Sequence, residues 1–67
     1  MNDDIEYLKE IMQLYGNDWW KNADTHLTVG NLLAHMGVIG TAEQAFEFME
    51  KPRKWQHEID TLIEEYK

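Results

Sequence analysis

The segment Trp55-Gln56-His57-Glu58-Ile59-Asp60-Thr61-Leu62-Ile63-Glu64-Glu65-Tyr66 sets Trp55, Ile59, Leu62, Ile63 and Tyr66 at i, i+4, i+7, i+8 and i+11. That spacing lines up one face of an α-helix, so the segment predicts an amphipathic helix running nearly to the C-terminus. Pro52 bounds it upstream. Proline lacks an N–H and restricts Lys51 before it, so it ends or kinks the preceding helix and then suits the first turn of this one.

Working back along the chain, Gly40-Thr41-Ala42-Glu43-Gln44 predicts a helix starting at Ala42. Thr41 is placed as N-cap and Gln44 as the third helical residue, the pairing that satisfies orphan N–H groups at a helix start. Its expected inward stripe is Ala42, Ala45, Phe46 and Met49. Val29, Leu32, Leu33 and Met36 form another stripe from Thr28, with Thr25 or Thr28 as candidate cap and Gly37 as stop. At the N-terminus, Ile5, Leu8, Ile11, Met12 and Tyr15 predict a helix over about Asp4 to Tyr15, with Asp3 and Glu6 as a capping box and Gly16-Asn17 as its end. Between these two, Asn17 to His26 shows no period and is expected as a loop or short turn of helix.

These segments and their short connections predict one all-α domain over residues 1–67, a small bundle of three to four short helices. Val38-Ile39 is too brief to argue a sheet.

The chain has 67 residues, a formal net charge of -7 and no cysteine, which excludes disulfide scaffolds, zinc–thiolate sites and thiol nucleophiles. A hydrophobic content of 43% separates it from disordered chains. No apolar run approaches the roughly 18 residues of a membrane span, and Met1-Asn2-Asp3-Asp4 is acidic where a secretory signal is basic, so a cytoplasmic chain without membrane contact is expected. Six Lys+Arg against thirteen Asp+Glu repel phosphate backbones, which argues against direct nucleic-acid binding and for a basic protein partner. A core this small supplies about 3–5 kcal/mol without staples, so a homodimer or efficient aromatic packing is expected to add to it.

Leu32-Leu33-Ala34-His35-Met36-Gly37-Val38-Ile39-Gly40-Thr41-Ala42-Glu43-Gln44-Ala45-Phe46 resembles a helix-turn-helix in its Gly-Val turn, with Leu33 where the motif usually has a small residue. A recognition helix from Thr41 would present Glu43, Glu47 and Glu50 to phosphates, with no Arg or Lys before Lys51; a helical corner is the expected reading. Lys51, Arg53 and Lys54 gather half the positive charge where the preceding helix ends, and there they serve its dipole. His57, Asp60 and Glu64 share a helical face, but neither a His-Glu-x-x-His pattern nor a second His within a turn accompanies them. No catalytic constellation is visible, so a non-enzymatic protein without metal or cofactor is expected.

Trp19 and Trp20 are adjacent and cannot both point inward, while Tyr7 and Phe48 fall off the core stripes of their helices. Such rings dominate binding hot spots. Glu43, Glu47 and Glu50 recur at i, i+4 and i+7, expected on the face opposite Phe46 and Met49. Tyr7, Trp19 or Trp20, and Phe48 with that glutamate row are the expected partner-binding set, an aromatic centre with an acidic rim suited to a basic protein. In size, acidity and crowded aromatics the chain looks like the accessory proteins of phages and mobile elements, which implies an inhibitor or adaptor. Two alternatives stand beside this: a nucleic-acid mimic that blocks a DNA- or RNA-binding channel with its carboxylates, and a self-associating structural subunit.

Overall fold

The computed structural model describes residues 2–66, of which 86% are helical, and among them no strand occurs. Four α-helices, α1 (Asn2–Tyr15), α2 (Ala23–His35), α3 (Ala42–Glu50) and α4 (Gln56–Glu65), are joined in part by two 3-10 segments, Gly16–Lys21 and Pro52–Trp55. The expected all-α bundle is therefore the observed fold. None of these helices is long and apolar enough to cross a membrane.

The helix ends follow local chemistry. Gln44 N–H donates to the Thr41 hydroxyl at 3.1 Å, and Gln44 Oε1 accepts from the Thr41 N–H at 3.2 Å, completing the expected capping box. Gly37 takes φ 80°, which lets its own N–H reach the Ala34 carbonyl and the Val38 N–H reach the Leu33 carbonyl, a Schellman closure of α2. Pro52 opens the second 3-10 segment, where its missing N–H is least costly.

Two starts differ from expectation. Helix α1 begins at Asn2, so Asp3 and Asp4 lie inside its first turn, where carboxylates meet the positive end of the dipole, and Asp3 is not the cap of a box. Helix α2 begins five residues before Thr28: Asn22 is the N-cap, its side-chain oxygen accepting from the Thr25 N–H at 3.0 Å. Thr28 sits mid-helix instead, its hydroxyl donating back to the Asp24 carbonyl at 2.9 Å.

The core combines Ile5, Leu8 and Ile11 of α1 with Val29, Leu32 and Leu33 of α2 and Ile59 of α4, closed by Trp19, Phe48 and Trp55. The seam of α4 is deepest at Trp55 and Ile59, half-buried at Leu62 and Ile63, and exposed at Tyr66; Tyr15 likewise leaves the α1 stripe for the surface.

Helix α3 departs most from its sequence pattern. Phe48, expected off the core, is 1% exposed, whereas Phe46 is 66% and Met49 50% exposed, and Ala42 and Ala45 are exposed with them. The helix is turned so that its four-residue apolar stripe faces out. One ring outweighs that stripe because it has a fitted socket. Phe48 stacks on Trp19 with ring centroids 5.7 Å apart, meets Trp55 edge-on at 5.9 Å and lies 4.8 Å from the His26 ring. Gly30 supplies the remaining room, since a Cβ there would stand 2.9 Å from Phe48 Cε2.

Gly30→Ala is accordingly expected to lower stability. Overpacking costs about 1–3 kcal/mol and the gain in helix propensity returns about 1 kcal/mol, for a net loss near 1 kcal/mol. Urea titration checks this, and a raised midpoint would mean that the Phe48 ring gives way freely.

His26 completes the socket from α2. The i+4 donor for the Phe48 carbonyl would be residue 52, a proline, so the last turn of α3 leaves that oxygen without a backbone partner. His26 Nε2 lies 3.0 Å from it, and because a carbonyl only accepts, the proton is on Nε2. The buried imidazole thus ties α2 to the end of α3.

Candidate functional site

The expected binding set is not assembled as a patch. Phe48 and Trp19 are both in the core, so neither ring stands out from the surface as a binding anchor. Of the adjacent indoles it is Trp19 that turns inward, its Nε1–H donating to Gln56 Oε1 at 2.6 Å. Gln56 also donates through Nε2 to Asp60 Oδ1 at 2.9 Å, so one amide links the first 3-10 segment to α4. Trp20 is half-buried, with Lys21 Nζ 5.6 Å and Arg53 Cζ 5.7 Å from its ring centroid. Tyr7 is exposed elsewhere, beside a depression between α1 and α2 that it shares with Leu14, Tyr15 and Thr28.

Glu43, Glu47 and Glu50 are all exposed on α3, as expected, but they do not lie opposite Phe46 and Met49. With Phe48 as the inward residue, both sets face solvent and adjoin. At 100° per residue, Phe46 is one turn from Glu43 and one turn from Glu50, so an apolar strip carries an acidic border. Lys54 Nζ stands 3.8 Å from Glu47 Oε2, whereas no ion pair to Glu43 or Glu50 occurs among the described residues.

The strip continues across to α2. Leu27, 54% exposed, forms the far wall of a groove of about 240 Å³ with Ala34, Ile39, Ala45 and Met49, floored by Gly30 and the edge of Phe48. Asn31 is the polar side chain in its lining. The close approach that Gly30 permits therefore does two things: it seats Phe48 and it sinks the floor between the helices.

Leu27, Phe46 and Met49 are the residues that sequence reasoning did not assign to binding. The i, i+3, i+4, i+7 pattern of Ala42, Ala45, Phe46 and Met49 was visible, but a period reports that residues share a face and not which way it points. Leu27, off the Val29/Leu32/Leu33 stripe, was the available signal.

His57, Asp60 and Glu64 line a shallow, open depression on α4 together with Thr61 and Glu65. Asp60 is already engaged by Gln56, and among the described residues no group of three or more His, Asp or Glu is placed to hold a metal ion. Comparison of the chain with protein-family models, with curated proteins and with solved structures returns no match.

Proposed function

We propose that this chain is a non-enzymatic binding module, an inhibitor or adaptor, that docks its α2–α3 face on a protein partner with a basic surface. The observation that carries the reading is the exposed strip of Leu27, Ala45, Phe46 and Met49 around the groove, bordered by Glu43 and Glu50 with no cation paired to them among the described residues. Single exposed apolar residues are ordinary; three that line one groove, Leu27, Ala45 and Met49, with exposed Phe46 on the same helix as the last two, are the pattern of a docking site. Met49 supplies adaptable packing in the groove and Phe46 adds area on the exposed face of α3, while the glutamates add orientation and encounter rate at the rim.

The electrostatics favour a foreign partner over a second copy. Any self-pairing joins two bodies of net charge -7, and an antiparallel pairing through α3 sets Glu43 and Glu50 beside their own counterparts.

The test is recovery of a partner from cells of the native host with tagged variants. Met49→Asp and Phe46→Ala are expected to leave the melting curve nearly unchanged, because surface substitutions stay within about 0.5 kcal/mol. Partner recovery should fall at least about tenfold, as for a central anchor. Unchanged recovery would refute the site. Loss only on replacing Glu43, Glu47 and Glu50 together by Gln, with steep salt dependence, would favour the nucleic-acid mimic instead.

A further inference from the structure

Resting on that docking reading, we infer that the α2–α3 groove receives an amphipathic α-helix whose cationic residues are gathered on the flank meeting α3. Three features lead there. The first is the lining: Leu27, Ala34, Ile39, Ala45 and Met49 offer carbon, and Asn31 is the polar side chain among them. An extended segment entering such a groove would bring backbone N–H and C=O groups against a floor that cannot bond them. Among the described residues there is no strand whose edge could pair with it either. A helix satisfies its own backbone and presents only side chains.

The second is length. Leu27 to Ala34 on the α2 wall spans i to i+7 within a continuous helix, about 10 Å or two turns, and Ala45 to Met49 on the α3 wall adds a further turn facing it. Two turns match the anchors of an incoming helix at i, i+3 or i+4, and i+7. Gly30 and Ala34 on one side and Ala45 on the other keep the walls low, so that helix backbones can approach closely.

The third is the asymmetry of charge. The α3 wall is bordered by Glu43 and Glu50, and among the described residues no cation pairs with either. The α2 wall is flanked by Thr28, Asn31 and His35; the carboxylates on that side are Asp24 in its first turn and Asp4 of α1, whose Oδ2 stands 3.9 Å from His35 Nδ1. A helix with lysines or arginines along one flank meets charge on the α3 side and uncharged polar groups on most of the other.

Peptide titration of the ¹⁵N-labelled full chain tests this, with three Leu/Lys or Leu/Glu peptides of about four turns as probes. One has Leu at i, i+3, i+4 and i+7 with Lys on one flank; the second has the same composition in strict alternation; the third replaces Lys by Glu. The helical Leu/Lys peptide is expected to shift the amides of Leu27, Gly30, Ala34, Ala45 and Met49 saturably and to gain helical circular dichroism on binding. The alternating peptide should bind at least about tenfold more weakly and the Leu/Glu peptide not at all, and Met49→Asp should weaken the first by a similar factor. Equal binding of the helical and alternating peptides at these amides would overturn the helical occupant while leaving a protein-docking groove in place. Shifts spread over the acidic surface, or none at these five amides, would also overturn it; whether the face docks a protein at all is then decided by the Phe46 and Met49 variants in partner recovery.

Discussion

Phe48→Ala leaves the chain at or past the midpoint of unfolding in plain buffer. The ring is 1% exposed and touches the rings of Trp19, His26 and Trp55, so its removal leaves a cavity that three aromatic neighbours cannot refill without losing their own contacts. Truncating a buried Phe costs about 3–5 kcal/mol, and a domain of this size commands about the same amount in total. Far-UV circular dichroism against urea is expected to show a broad, non-cooperative loss of helix in place of a sigmoidal transition. The contrast lies two residues away: Phe46→Ala removes the same ring from the surface and should keep the parental curve within about 0.5 kcal/mol. If the two variants exchanged behaviour, α3 would be turned the other way, with Ala42, Ala45, Phe46 and Met49 inward, and the groove described above would not exist.

Trp19→Ala should be nearly as damaging, and for an additional reason. The indole is fully buried and stacks on Phe48, and its Nε1–H is the donor to Gln56 Oε1 at 2.6 Å. Truncation therefore opens a larger cavity and leaves a half-buried amide oxygen short of a partner; about 3–5 kcal/mol is expected from the ring, with the lost hydrogen bond adding on the order of 1 kcal/mol. Trp20→Ala, at the next position, is expected to cost no more than about 1 kcal/mol, because that side chain is half-buried at the edge of the core with the cations of Lys21 and Arg53 near its ring. Equilibrium unfolding of the two single variants settles which indole is structural. The double variant Trp19→Ala/Phe48→Ala should be less damaging than the sum of its parts, since the two rings share one contact surface.

What could be read from the sequence divides along the range of the interactions. The Thr41–Gln44 box, the Gly37 closure and the role of Pro52 each depend on residues within a few positions of one another, and all three stand where the local pattern puts them. The start of α2 was missed because its first turn buries Thr25 and His26, polar residues that interrupt a hydrophobic period although they lie inside. Their burial is licensed by partners distant in sequence: His26 answers the carbonyl of Phe48, twenty-two positions on. The rotation of α3 was illegible for the same reason. Its apolar stripe looked sufficient, and only the assembled socket of Trp19, His26, Gly30 and Trp55 makes Phe48 the better inward residue. The candidate site inherits that inversion, so its glutamates were identified in advance while its apolar centre was not.

A helix seated by a single plug behaves differently from one sealed along its length. Phe48 is the sole buried side chain of α3 and His26 binds its carbonyl as well, so withdrawing that ring from its socket costs about what the whole domain commands. Such an element does not open ahead of the rest: its release and global denaturation are one cooperative event. The groove that α3 helps to form is then a compartment whose α3 wall holds its place for as long as the rest of the fold does.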